Sequence, residues 1–183
     1  MKFIRERADV LPALTEVFRT YGYEGASLAR ISEHTGLGKG SLYNFFPGGK
    51  EEMAAAVLDG IDGWFHTHVF DPLRRHENPR DGIEAMFVAT DRYFHSGERV
   101  CIVGVFALSD VRDRFAQRIN AYFAAWRDAL ADALRRAGKD EAMAEELAED
   151  IVAGIQGALV AARALDDVGL FKRRMARMQA LLS

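Results

Sequence analysis

The stretch that decides the fold is SLARISEHTGLGKGSLYNFFPGGK, Ser27–Lys50. Ser27 is a residue type that caps helices, and the apolar Ile31 after it predicts a short helix. Gly36 can adopt positive φ and predicts a tight turn, after which a second short helix covers residues 38–46. Two short helices joined by a glycine-containing turn are typical of the helix-turn-helix motif, whose second helix enters the major groove of DNA.

The second helix carries side chains suited to DNA. Lys39 lies in its first turn, where the helix dipole disfavours a cation, so a phosphate or a guanine would explain it. Gly40 removes bulk where a backbone could approach, Ser41 and Asn44 can bond base edges, and Tyr43 can bond a phosphate. The spacing alone is equally compatible with two short helices in a helical protein that does not bind DNA.

In the rest of the chain, too, the apolar residues recur with the period of a helix. Asp9 is the expected cap of the first helix, Asn78 with Pro79 starts another, and Asp110 starts a long one. Residues 140–166 and 168–182 form two more, and the apolar run 100–108 is expected to be a short buried helix because no partner strand exists for it. The sequence therefore predicts an all-α fold of about nine helices.

Composition excludes several classes of protein. Of 183 residues, 49% are hydrophobic and 28% are charged, which is unlike a disordered chain. A net charge of −3 excludes a uniformly basic coat protein, although residues 1–50 hold seven Lys/Arg against five Asp/Glu. The single Cys101 excludes a disulfide framework and a multi-cysteine zinc site, and its apolar surroundings favour an inert thiol over a redox sensor.

No segment of the sequence has the pattern of a targeting signal or of a membrane anchor. The first residues are too charged for a secretory signal. The longest apolar stretch, Ile151–Leu165, is too short to span a bilayer and is interrupted by Gln156 and Arg163. We therefore expect a cytoplasmic protein that does not contact membranes.

The run TGLGKGSLYNFFPGGKEEM strongly resembles the DNA-binding segment of the TetR/AcrR family of bacterial transcriptional regulators, and its LmrA/YxaF-like branch above all. The preceding RADVLPALTEVFRTYGYEGASLARIS is similar to the first two helices of that family. The resemblance covers residues 9–58. It implies a helix-turn-helix DNA-binding domain at 1–50, joined through a fourth helix at about 51–70 to an effector-binding and dimerisation domain at 51–183.

The resemblance also implies which residues meet DNA. Ser27 would contact a phosphate at the start of the second helix, and Lys50 would clamp the backbone beside the fourth. The remaining implied contacts come from the recognition helix: Lys39, Gly40, Ser41, Tyr43 and Asn44. Phe45 replaces a histidine found in many members and is expected to be a core residue or to contact a thymine methyl.

Dimerisation and ligand binding are the two functions expected of the remainder. Ile151–Leu165 is apolar nearly all round, which favours burial against a second subunit over a single amphipathic stripe. The candidate interface residues are Ile151, Gly154, Ile155, Ala158, Leu159, Ala162 and Leu165. A central helix of a monomer is the alternative. The candidate pocket residues are the aromatics Trp64, Phe87, Phe94, Phe106, Tyr122, Phe123 and Trp126, although each is also a plausible core residue.

Together with these observations, the resemblance implies a homodimeric repressor that a small hydrophobic or aromatic molecule releases from a palindromic operator. The alternative is a helical small-molecule-binding protein without DNA recognition. An enzyme is not expected, since no nucleophile and base or carboxylate pair has usable spacing. No cofactor and no metal site are expected either, because His66 and His68 point about 200° apart on a helix.

Overall fold

The computed structural model describes residues 6–182, which are helical almost throughout and contain no strand. The α-helices are α1 (Arg7–Gly25), α2 (Leu28–Thr35), α3 (Lys39–Phe45), α4 (Gly49–Phe65), α5 (Asp71–Arg75), α6 (Pro79–Tyr93), α7 (Ile102–Ala107), α8 (Ala116–Arg136), α9 (Glu141–Ala164) and α10 (Val168–Ala180). A π-helical segment, His66–Phe70, joins α4 to α5 without a break, so the described chain forms nine separate rods. The all-α prediction is confirmed. Residues 1–5 and 183, at the outer ends of the two predicted domains, lie outside the described residues.

The first helix begins earlier than the sequence suggests. Glu6, not Asp9, is its N-cap, and the Asp9 carboxylate accepts a hydrogen bond from the Glu6 backbone N–H at 3.3 Å. Asp9 therefore stabilises the first turn from inside the helix. Near the other end, Gly22 has φ +65° and interrupts the regular geometry, so Tyr23 and the residues after it leave the axis of α1.

The start of the long helix α8 also differs from the prediction. Asp110 does not begin it, because a 3-10 turn at Asp113–Phe115 intervenes and α8 starts only at Ala116. The buried ring of Phe115 packs 5.7 Å from Tyr23 and 5.5 Å from Phe106. This anchor fixes the chain at the turn. The apolar run before it forms the short buried helix α7, as predicted.

One core joins all the helices. Its centre is an aromatic cluster around Phe65, whose ring lies 4.9 Å from Tyr93, 5.0 Å from Tyr122 and 5.2 Å from Trp126. Contacts of this kind add to the stabilisation by burial. The end of α4 is thereby fixed between α6 and α8.

The helix α9 packs against both α8 and α10. A turn at Gly138, with φ +97°, connects the antiparallel α8 and α9. A side chain at Gly154 would lie 2.7 Å from the Met178 sulfur, so this glycine lets α10 pack closely on α9. None of the helices within residues 6–182 has both the length and the apolar character needed to cross a bilayer.

Candidate DNA-binding site

The turn between α2 and α3 is fixed by local hydrogen bonds. Gly36 ends α2 in the left-handed region at φ +69°, as its residue type predicts. The Thr35 hydroxyl donates to the Ile31 carbonyl at 2.7 Å and accepts from the Leu37 N–H at 3.3 Å. The Ser32 hydroxyl donates to the Leu37 carbonyl at 2.5 Å. These bonds hold α3 at a set angle to α2.

The recognition helix α3 buries one side and exposes the other. Leu42 is fully buried and fixes the inner side. The predicted DNA-contacting residues of this helix are all exposed: Lys39, Gly40, Ser41, Tyr43 and Asn44. Phe45 is half-buried and packs against the core. This agrees with the first of the two roles expected for it, that of a core residue. The structure thus brings five predicted residues together on one accessible arc.

Lys39 gives this arc a positive charge at the first turn of α3. Within residues 6–182 it forms no ion pair, although a cation here opposes the helix dipole. The free N–H groups of the same turn also favour an anion. The N-terminal end of α3 is therefore suited to bind a phosphate or the acceptor atoms of a base.

Tyr43 is held by the next turn of the chain. Its ring packs on Gly49, where a Cβ would lie in van der Waals contact with the ring at 3.4 Å. Gly49 also has φ +65°, which favours glycine. The Tyr43 ring is thereby oriented and 41% exposed, with its hydroxyl available to a partner.

Lys50 lies in a different environment from the one expected. Its ammonium donates to the Tyr23 carbonyl at 3.1 Å, lies 4.3 Å from the centre of the Tyr23 ring and is 4.0 Å from the Glu24 carboxylate. In this structure it connects α4 to the end of α1. Its predicted contact with a DNA phosphate would require it to exchange these partners.

Ser27 and Arg30 form the part of the site contributed by α2. The Ser27 hydroxyl caps α2 by accepting from the Arg30 N–H at 3.3 Å, as predicted. Arg30 was not singled out from the sequence. Its guanidinium donates to the Gly25 carbonyl at 2.7 Å, lies 4.4 Å from the centre of the Tyr21 ring and remains exposed. The dipole argument used for Lys39 also applies to this first-turn cation.

Comparison with known proteins decides the family. The family model "Transcriptional regulator LmrA/YxaF-like, C-terminal domain" matches residues 79–176, and "Bacterial regulatory proteins, tetR family" matches residues 10–57. The chain belongs to the LmrA/YxaF-like branch of the tetR family. It is therefore a transcriptional regulator with a DNA-binding domain and not an enzyme. The resemblance inferred from the sequence is confirmed.

Relatives and solved structures agree with this assignment. The regulator is 27% identical over 164 residues to the HTH-type transcriptional regulator LmrA of Bacillus subtilis, with 87% of each chain covered. It matches the TetR family transcriptional regulator CifR, solved with 26-bp operator DNA, at TM-score 0.77 and 26% identity over 100% of this chain and 98% of that one. A TetR regulator from Legionella pneumophila shares the fold at TM-score 0.85, with 19% identity over the whole of both chains.

The predicted pocket residues of the regulator are mostly core residues. Those with at most 3% exposure are Phe87, Phe94, Phe106, Tyr122 and Trp126. Trp64 is half-buried and stacks on His68 at 4.4 Å. Only Phe123 of the seven lines a large open depression, which has a volume of about 1010 Å³. We call this depression the α7–α9 groove; it is lined by the end of α1, the segment 100–108, Phe123 and the second half of α9.

The predicted interface residues lie mainly inside the regulator's own core. Those with at most 4% exposure are Ile151, Ile155, Ala158, Leu159 and Ala162. Gly154 faces Met178 of α10, while Leu165 is 67% exposed. The open face of α9 is therefore made mostly of other residues. It consists of small and apolar residues at helical spacing: Ala153, Gly157, Val160 and Ala164.

Cys101 is buried and caps α7. Its sulfur accepts a hydrogen bond from the Gly104 N–H at 3.4 Å. Burial raises the pKa of the Cys101 thiol, which keeps it protonated and unreactive near neutral pH. Within the described chain, no three His, Cys, Asp or Glu side chains gather as metal ligands would.

Proposed function

We propose that this regulator is a cytoplasmic bacterial repressor that binds a palindromic operator as a homodimer and is released by a small hydrophobic or aromatic molecule. Residues 1–50 would bind DNA, and residues 51–183 would bind the effector and the second subunit. The observation that carries the proposal is the exposed arc of α3 with its unpaired Lys39. The operator complex of CifR supports the same use of this fold.

The exposed face of α9 supports a homodimer. Val160, in the middle of this face, is 60% exposed although it is apolar, and the nearby Leu108 is 86% exposed. The neighbouring Gly157 and Ala164 are small enough for a second helix to approach closely. A two-fold dimer would also place two recognition helices on successive half-sites of a palindrome.

The fourth helix supports communication between the two domains. Near its start, Glu51 pairs with Arg114 at 3.0 Å, and two turns later Asp59 pairs with Arg118 at 2.6 Å. Arg114 also approaches the Tyr23 hydroxyl at 3.4 Å. A movement of the α8 end of the effector domain would therefore act directly on α4 and on α1. In this way effector binding could change the spacing of the two recognition helices.

The test is fluorescence anisotropy of the intergenic DNA beside the regulator's own gene, titrated at two salt concentrations against a shuffled duplex. We expect selective binding that Lys39→Ala weakens by about tenfold, with a salt dependence that is shallower by about one counterion. Tyr43→Phe removes the hydroxyl and keeps the packing on Gly49, so a weaker complex would report a phosphate contact. Lys172→Ala, at an exposed position on α10, is the control.

Selective binding that Lys39→Ala weakens and Lys172→Ala leaves unchanged would support the proposal. Equal weak binding to both duplexes calls for selection of bound fragments from genomic DNA. Failure to recover any sequence at low salt would reject operator binding and favour a small-molecule-binding protein without DNA recognition.

A second prediction concerns Gly40. Nothing within 4 Å would meet a side chain at this position, and its φ is not positive, so the fold gives no reason for a glycine inside α3. Gly40→Ala is therefore expected to stabilise the chain by about 0.5–1 kcal/mol. If DNA approaches the backbone here, the same change should weaken DNA binding.

Urea unfolding and anisotropy measure the two effects of Gly40→Ala. Gly60→Ala in the middle of α4 is a matched control, because Gly60 is also exposed and has open space around it. The control should gain stability and bind DNA as before. Unchanged or tighter DNA binding by Gly40→Ala would contradict a close approach at this residue.

A further inference from the structure

The ammonium of Lys50 is surrounded by groups of the protein itself. It donates to the Tyr23 carbonyl at 3.1 Å, lies 4.3 Å from the centre of the Tyr23 ring and is 4.0 Å from the Glu24 carboxylate. The Lys50 side chain is only 25% exposed, whereas that of Glu24 is 73% exposed. A carbonyl oxygen, the face of an aromatic ring and a carboxylate all attract a cation. They serve the ammonium as a DNA phosphate would.

The backbone sets this contact from both sides. Gly22, with φ +65°, immediately precedes Tyr23, and Gly49, also with φ +65°, immediately precedes Lys50. Such a conformation favours glycine, because a Cβ would be strained there. The chain therefore turns just before each of the two residues that meet. The contact between the end of α1 and the start of α4 follows from these two turns.

Tyr23 is itself held in place by residues of the effector domain. Its ring lies 5.9 Å from that of Phe106 and 5.7 Å from that of Phe115. Arg114 approaches the Tyr23 hydroxyl at 3.4 Å, and Tyr23 is only 6% exposed. The ring and the carbonyl are thus fixed before the ammonium reaches them. Only the lysine side chain has to be ordered, which keeps the entropic cost of the contact low.

The two lysines predicted to meet DNA are in different states. Lys39 is exposed and forms no ion pair in the part of the chain that the structure describes. It can approach a duplex directly. Lys50 has to leave Tyr23 and Glu24 first, so the free energy of that contact is subtracted from whatever a phosphate supplies.

We propose that Tyr23 and Glu24 hold Lys50 in a resting position that competes with a DNA phosphate, and that Lys50 leaves this position when the regulator binds a duplex. The inference rests on the proposed operator binding and deepens it. Tyr23 and Glu24 are positioning residues, since they act on DNA through Lys50. Because the effector domain fixes Tyr23, it would also determine how firmly Lys50 is held.

Nuclear magnetic resonance of the full chain follows Lys50 directly. The sequence contains five lysines, so labelling lysine at Cε gives few signals, and Lys50→Met identifies the relevant one. In the free chain we expect the Lys50 methylene protons to be shifted upfield by the Tyr23 ring. On a duplex they should lose this shift. A phosphate contact does not depend on base sequence, so a shuffled duplex at low salt serves as well as an operator.

A double-mutant cycle measures the competition. Glu24→Gln should tighten duplex binding about two- to threefold in the parent chain, because Lys50 is then released more easily. The effect should be smaller in the Lys50→Met background. If Lys50 stayed on Glu24 in the complex, Glu24 would repel DNA mainly in that background, and Glu24→Gln would help more there. Glu33→Gln removes an exposed carboxylate of α2 and should act equally in both backgrounds.

The two measurements together decide the matter. A Lys50 signal that loses its upfield shift on DNA, with the larger Glu24→Gln effect in the parent chain, would support the proposal. It is wrong if the Tyr23 ring does not shift the signal in the free chain, if the signal stays in place on DNA, or if Glu24→Gln helps as much or more in Lys50→Met. If Lys50→Met does not fold, Lys50→Gln takes its place.

Anisotropy of the same samples separates this inference from operator binding. A bound duplex with an unmoved Lys50 signal rejects the resting position alone. A chain that binds no duplex even at low salt rejects operator binding and, with it, the competition at Lys50.

Discussion

Replacing Phe46 with alanine is expected to destabilise the chain by about 3–5 kcal/mol and to abolish DNA binding without removing a DNA contact. Phe46 is fully buried at the end of α3. Its ring lies 4.6 Å below the guanidinium of Arg7, and its carbonyl accepts from the Gly49 N–H at 2.9 Å. The side chain therefore fixes the recognition helix against α1. Total stabilities of about 5–15 kcal/mol make such a loss a large fraction.

Urea unfolding followed by circular dichroism measures the effect of Phe46→Ala, and anisotropy at the same temperature measures DNA binding. Phe45→Ala is the matched control, because the neighbouring ring is only half-buried and its removal leaves a smaller cavity. We expect the control to lose clearly less stability. A loss below about 1 kcal/mol for Phe46→Ala would show that this ring does not hold α3 in place.

Local chemistry explains the part of the fold that the sequence predicts. Ser27 caps α2, Gly36 ends it with positive φ, and Asn78 caps α6. Each of these outcomes depends on a residue and its neighbours within one turn of helix. The exposed arc of α3 follows from the same local pattern once Leu42 is placed inward.

Long-range contacts explain what the sequence did not predict. The ammonium of Lys50 bonds to Tyr23, which is 27 residues away. The start of α8 is displaced from Asp110 because Phe115 is anchored against α1 and α7. No local signal encodes either partner, since each depends on how distant helices meet.

The position of α10 explains why most of the predicted interface residues are buried within the single chain. Ile151–Leu165 is apolar nearly all round, so the sequence shows that several faces of α9 are buried but not which neighbour covers each. In the structure, α8 and α10 pack against α9, and the side of Gly154 is covered by Met178. Similarly, tertiary packing decides which aromatic residues lie in the core and which line a pocket. Here most of the predicted pocket residues lie in the core.

Val160→Glu is expected to convert the proposed dimer into monomers and to lower operator affinity by at least about 100-fold. Val160 is 60% exposed in the single chain, so the glutamate should leave the fold intact. In a dimer through the open face of α9, the new carboxylate would be buried against its own two-fold copy. Burying an unpaired charge is strongly unfavourable, and two like charges at a symmetric contact repel each other.

Sedimentation velocity gives the oligomeric state of Val160→Glu, and anisotropy gives its affinity for the duplex. Val88→Glu on α6 is a close match, because Val88 is also apolar and 62% exposed but lies on another helix. The control should remain dimeric and bind DNA like the parent chain. Because a monomer contacts one half-site only, loss of the dimer and loss of affinity must occur together in the α9 variant. A dimeric Val160→Glu with full affinity would place the subunit contact on a different surface and leave the open face of α9 without a partner.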